Sequence, residues 1–135
     1  GLEALSRGAS HVLFMEQDRE ALKVLRENIA QTDPSSCQVF AGDSFVNITE
    51  VIKTLKKRGE DVYFYIDPPF SIREGMEDIY EKMIKLIESI PQDLVKLIII
   101  EHMSGLEIPK EIGPFEVLKS KKFGNTTLTY LSVII

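Results

Sequence analysis

Four short apolar runs alternate with stretches of helical period, and this alternation leaves few architectures open. The runs are HVLFM at 11–15, CQVFA at 37–41, VYFYI at 62–66 and LVKLIII at 94–100. Each reads as a buried strand. After the first, Asp18 can cap a helix in which Leu22, Leu25 and Ile29 share one face. Phe45, Ile48, Ile52 and Leu55 recur at helical spacing, and Lys56, Lys57, Arg58 and Gly59 supply the cations and the glycine that stop a helix. Met76, Ile79, Tyr80, Met83, Ile87 and Ile90 form a third stripe, ended by Pro91. The tail FEVLKSKKFGNTTLTYLSVII reads as two strands joined by a Gly-Asn turn. The expected fold is therefore α/β, a mostly parallel sheet covered by helices with an antiparallel C-terminal hairpin.

The opening GLEALSRGAS reads as the last turns of a helix, with Leu2 and Leu5 inward and Gly8 as its stop. The chain is thus expected to begin inside an element, as part of something longer. Its 135 residues suit one domain with a real core. The longest apolar run, near Leu97–Ile100, is far below the roughly 18 residues that span a bilayer, and no basic-then-apolar leader is visible. Cys37 stands alone, which excludes an intrachain disulfide and the usual multi-cysteine zinc sites, and a reducing, cytoplasmic setting is expected. The net charge of −5 argues against a general nucleic-acid binder while leaving room for a local basic patch.

Each predicted parallel strand is followed at once, or nearly so, by an acid: Glu16, Asp43, Asp67 and Glu101. Ligands of open α/β sheets sit beyond the carboxyl ends of the strands, so acids there are candidate ligand groups. Each also has a plainer account. Asp18 reads as a helix cap. Glu16 stands where a nucleotide fold places its ribose-binding acid, and equally where a simple strand-end acid would be. Asp43 in AGDS can cap the next helix or face a ligand. Glu101 and His102 read as polar loop residues, and His11 as structural.

The stretch IDPPF is more specific. Two prolines remove two backbone donors and fix φ at both positions, and the residue before a proline is held out of the helical region. Asp67 and Pro68 therefore have a predetermined geometry, with carbonyl groups left to accept hydrogen bonds. A rigid strand-to-helix turn would need neither Asp67 nor Phe70. A carboxylate and carbonyls that accept N–H groups, beside a ring that stacks, suit a planar ring carrying an exocyclic amine.

Taken together, GLEALSRGA, MEQD, AGDS, YIDPPF and the closing hairpin resemble, in order and spacing, the bacterial 16S ribosomal RNA guanine-N2 methyltransferases of the RsmD type. These are class I S-adenosylmethionine-dependent enzymes. The resemblance covers essentially the whole chain. It implies a Rossmann-like sheet whose last strand is antiparallel, and S-adenosylmethionine as cofactor. It implies that Glu16 binds the cofactor ribose, that Gln17 lies near the adenine, and that Asp43 and Ser44 address the adenine edge. Asp67, Pro68, Pro69 and Phe70 would form the catalytic turn. The substrate would be small-subunit ribosomal RNA, naked or within a ribosomal particle. At the front the chain departs from the pattern. Family members carry a first strand and a glycine-rich loop before GLEAL, and Gly1 would be the last glycine of that loop. A break between the strand at 11–15 and that at 62–66 is expected, and with it weak S-adenosylmethionine binding by residues 1–135 alone.

Arg73, directly after the catalytic turn, is the first candidate for RNA contact. Lys119, Lys121 and Lys122 are others, while Lys56–Arg58 read better as helix-end cations. Three rival readings remain open at this level. One is an amino-methyltransferase acting on adenine N6 or cytosine N4 of DNA. Another is a degenerate, non-catalytic methyltransferase module. The third, a magnesium-dependent phosphoryl site, leaves the two prolines without a purpose.

Overall fold

Parallel strands cannot be joined by a tight turn, so each strand-to-strand passage needs a crossover, and the sequence supplies helices for it. The computed structural model describes residues 11–16, 18–32, 34–59, 61–67 and 79–134. Its elements are β1 (Val12–Glu16), α1 (Arg19–Thr32), a 3₁₀ turn (Pro34–Ser36), β2 (Cys37–Ala41), α2 (Ser44–Arg58) and β3 (Val62–Ile66). They continue with α3 (Ile79–Ser89), β4 (Val95–Met103), β5 (Glu111–Ile112), β6 (Phe115–Phe123) and β7 (Thr126–Val133). The chain divides into two compact units, Gly1–Thr54 and Leu55–Ile135.

In the first unit β1 and β2 pair in parallel, from Val12 opposite Cys37 to Glu16 opposite Ala41. The crossover helix α1 starts where its cap predicts, with Glu20 N donating to Asp18 Oδ1 at 3.1 Å. Its inward stripe is Leu22 and Leu25, half-buried, and Ile29, buried. Helix α2 buries Ile48 and Val51. It ends at Gly59, whose N–H bonds to the Leu55 carbonyl at 3.2 Å.

In the second unit the strand order is β3-β4-β7-β6-β5, parallel between β3 and β4 and antiparallel elsewhere. The predicted hairpin is β6–β7, turning at Gly124 and Asn125; Gly124 has φ +62°, which glycine adopts without steric cost. Alternation sorts the side chains. Val62 and Phe64 of β3, Ile98, Ile100 and His102 of β4, and Thr129 and Leu131 of β7 are buried. Tyr63 and Tyr65, on the opposite face of β3, are exposed. Met83, Ile87 and Ile90 are each no more than 2% exposed, so the predicted stripe of α3 does become core. Met76, its first member, lies outside the described residues. Gly113, at φ +55°, lies against α3. A Cβ there would stand 3.1 Å from the Glu88 Cα, so no other residue fits without displacing the helix backbone.

Three differences from the sequence reading come from strand pairing. Glu16 is the last residue of β1 rather than the first beyond it, because the ladder with β2 runs to Ala41. Strand β4 continues to Met103, so Glu101 and His102 are strand residues and not loop residues. The antiparallel partner β7 extends the ladder through Glu101–Leu128, His102–Thr127 and Met103–Thr126. The two-residue strand β5, paired with the start of β6, carries no sequence signal of its own. Among the described residues β1 and β3 share no ladder, and the strands form one sheet of two and another of five.

Candidate active site

Two groups of acidic side chains stand at carboxyl ends of parallel strands, one in each unit. In the first unit the end of the β1–β2 ladder brings Glu16 opposite Ala41, and Gly42 N donates to the Glu16 carbonyl at 2.8 Å. Each carboxylate there shapes its own loop. Glu16 Oε1 accepts from Asp18 N at 3.0 Å, and Asp43 Oδ1 accepts from Phe45 N at 2.8 Å. Asn47 Nδ2 closes the same turn on the Ala41 carbonyl at 3.1 Å. Asp43 is therefore the N-cap of α2, the plainer of its two accounts, and it is exposed to solvent. A carboxylate has about four lone-pair sites, so capping leaves acceptor capacity for a ligand. The ribose hydroxyls and exocyclic amine of an adenosine are all donors, and two carboxylates fixed at one strand edge are acceptors of matching kind. The residues present fit such a cofactor.

In the second unit Ile66 pairs with Ile100, so Asp67, the first residue beyond β3, and Glu101, still within β4, stand at one level. Asp67 is exposed. Two residues before Asp67 on β3 is Tyr65, whose hydroxyl donates to Glu101 Oε1 at 2.5 Å. Partial burial of the phenol, then the Glu101 hydrogen bond, then the negative charges of Glu101 and Asp67 all push the Tyr65 pKa well above its ordinary value. Tyr65 therefore stays a donor across the working pH range. His102, on the other face of β4, is 3% exposed and fully engaged, with Nε2 2.6 Å from Thr129 Oγ1 and Nδ1 3.0 Å from the Met103 carbonyl. It is a satisfied core histidine.

Glu16 and Asp43 thus share one strand edge, and Asp67 shares another with Glu101. Gly1, Gln17, Pro68, Pro69, Phe70, Arg73 and the Ser44 side chain lie outside the described residues. Lys56, Lys57 and Arg58 form the last turn of α2, as helix-end cations do. Lys119, Lys121 and Lys122 are exposed on β6, and the Lys119 ammonium lies 5.0 Å from the centroid of the Tyr130 ring. The sequence reading leaves Tyr65 unremarked, takes Glu101 as a loop residue and does not bring the two together. Their spacing gave no signal, because they meet only through the β3–β4 register.

A family model described as "Conserved hypothetical protein 95" matches residues 1–132. A Bacillus subtilis (strain 168) protein, "Putative rRNA methyltransferase YlbH", is 24% identical over 131 residues. The alignment covers 93% of this chain and 65% of that relative's length. A conserved hypothetical protein of Streptococcus pyogenes has a similar solved structure, with TM-score 0.71, 21% identity, 98% of this chain and 78% of that one covered. So does "Putative methyltransferase yhhF" from Escherichia coli, at TM-score 0.65, 24% identity, 98% of this chain and 68% of that one. These likenesses establish the fold as Rossmann-like α/β.

Proposed function

The chain belongs to the conserved hypothetical protein 95 family, the RsmD-type family its motifs resemble, and from that premise we propose that it methylates RNA. The reaction we propose is transfer of a methyl group from S-adenosylmethionine to the exocyclic N2 amine of a guanine in small-subunit ribosomal RNA. The observation that carries this reading is Asp67, an exposed carboxylate at the end of a strand whose preceding residues alternate between buried and exposed faces, immediately before two prolines and a phenylalanine. The name of the Bacillus relative, an rRNA methyltransferase, supports an RNA substrate.

S-adenosylmethionine supplies an electrophilic methyl group. Glu16 would accept the ribose hydroxyls, Asp43, Ser44 and Gln17 would address the adenine, and Gly1 would belong to the stretch that meets the methionine part. The guanine N2 amine is a poor nucleophile because its lone pair is delocalised into the ring. Asp67 and the Pro68 carbonyl accept its two hydrogens, which localises the lone pair and aims it. Pro69 keeps the turn rigid and Phe70 stacks on the extruded base. Catalysis is then mainly positioning and exclusion of water, and Asp67 takes up the departing proton after transfer. Arg73 contacts the RNA backbone next to the turn.

The test is incubation of the gene product with labelled S-adenosylmethionine and unmodified small ribosomal subunits, followed by nucleoside analysis of the digested RNA. N2-methylguanosine is the expected product. Label on adenine N6 or cytosine N4, or none, would overturn the reading. Asp67→Ala is expected to lower turnover by more than about 100-fold with cofactor affinity unchanged, and near-normal turnover would remove Asp67 from the mechanism.

A further inference from the structure

We infer that Glu101, held in place by Tyr65, accepts the N1–H of the target guanine and so selects guanine over bases that lack that proton. The inference rests on the guanine-N2 reading above and adds a specificity-determining residue to it.

The geometry comes first. Ile66 and Ile100 are register partners on adjacent parallel strands, which lie about 4.8 Å apart, so Asp67 just beyond β3 and Glu101 within β4 stand side by side. Two carboxylates at that spacing can converge on one edge of a planar base. The Watson–Crick edge of guanine presents two neighbouring donors, the N2 amine and N1–H. If Asp67 accepts from the amine, the next ring position still needs an acceptor, and the next strand carries one. A flipped base whose N1–H met no acceptor in a dry pocket would pay for its lost water. Adenine turns a lone pair at N1 toward the same carboxylate and is repelled.

Tyr65 explains how Glu101 is kept ready. A glutamate side chain has several rotatable bonds, and beside the point where β3 ends it would sample many positions. The Tyr65 hydroxyl, donating at 2.5 Å, fixes one oxygen and with it the plane of the carboxylate. That single bond uses one of about four lone-pair sites. Tyr65 itself touches no substrate in this account; it is a positioning residue. Its aromatic body stays on the exposed face of β3, so its hydroxyl is not needed for packing.

The test uses the gene product, its Glu101→Gln and Tyr65→Phe variants, and an RNA fragment spanning the methylated guanine. That guanine is kept or replaced by 2-aminopurine, which retains the exocyclic 2-amine but carries a lone pair in place of N1–H. Wild type should disfavour 2-aminopurine by about 10- to 100-fold in kcat/KM, the worth of one charge-assisted hydrogen bond. Glu101→Gln, whose amide N–H can donate to that lone pair, should shrink the ratio to within about threefold while lowering activity on guanine. Tyr65→Phe should shrink it part-way with cofactor affinity unchanged. A merely structural role for either residue would lower both substrates together and leave the ratio intact. Equal discrimination in all three proteins, or none in wild type, would overturn the assignment while leaving guanine methylation standing. Failure of wild type to methylate guanine would overturn both.

Discussion

Replacing Thr129 with valine removes one hydroxyl from the buried face of the five-stranded sheet and leaves the side-chain volume nearly unchanged. The expected cost follows from the partners. The Met103 carbonyl can only accept, so His102 Nδ1, 3.0 Å away, carries the ring proton. Nε2 is then an acceptor, and the Thr129 hydroxyl donates to it at 2.6 Å. Both residues are 3% exposed, so water cannot readily take the place of the lost donor. A buried acceptor left unpaired costs about 1–3 kcal/mol. Thr129→Val should lose that amount in urea unfolding followed by circular dichroism. Thr129→Ser keeps the donor and should lose less than about 1 kcal/mol, the worth of a single methyl group. Adding His102→Leu to Thr129→Val removes the orphaned nitrogen as well, so the two losses should fall short of additive by about 1–2 kcal/mol. A nitrogen-resolved NMR spectrum should place the imidazole proton on Nδ1. A Thr129→Val protein as stable as wild type, strict additivity in the double variant, or a proton on Nε2 would refute the reasoning.

Three further outcomes are expected. Asp43→Ala removes the acceptor for Phe45 N and should destabilise the protein by about 1 kcal/mol, measured by thermal or urea unfolding without any ligand. Glu16→Gln should weaken S-adenosylmethionine binding by about 10-fold or more in calorimetry, because a charged acceptor for the ribose hydroxyls becomes a neutral one. Tyr65 should titrate above the ordinary range of a tyrosine when phenolate absorbance is followed to high pH. Its folded pKa lies above the ordinary tyrosine value of 10.0, so the unfolded chain releases this proton first. The stabilisation is therefore fully present below about pH 10 and is lost as pH rises above it. Tyr65→Phe should show a shallower alkaline loss of stability than wild type.

Much of the fold was legible because the strongest signals are local. The Asp18 cap, the β2 run, the lysine-rich end of α2 with Gly59, and the Gly124–Asn125 turn are each decided by backbone chemistry within a few residues. The buried stripe of α3 followed from its period. The extent of β4 did not, since Glu101 and His102 are polar and look like loop residues until β7 pairs with them. The same holds for the chemistry. Asp43 was legible as a cap because it stands just before a helical stripe.

What the sequence determined by itself is therefore the main helices and strands and the placing of acids at strand ends, all consequences of dihedral limits and side-chain period. What only the tertiary structure decided is which of those acids are neighbours. The register of β3 on β4 sets Asp67 beside Glu101 and brings Tyr65 into hydrogen-bond contact with a residue 36 positions away. The pairing of β4 with β7 turns His102 inward onto Thr129. Register is a property of two strands together, fixed by how their buried faces pack, and neither strand's own residues contain it.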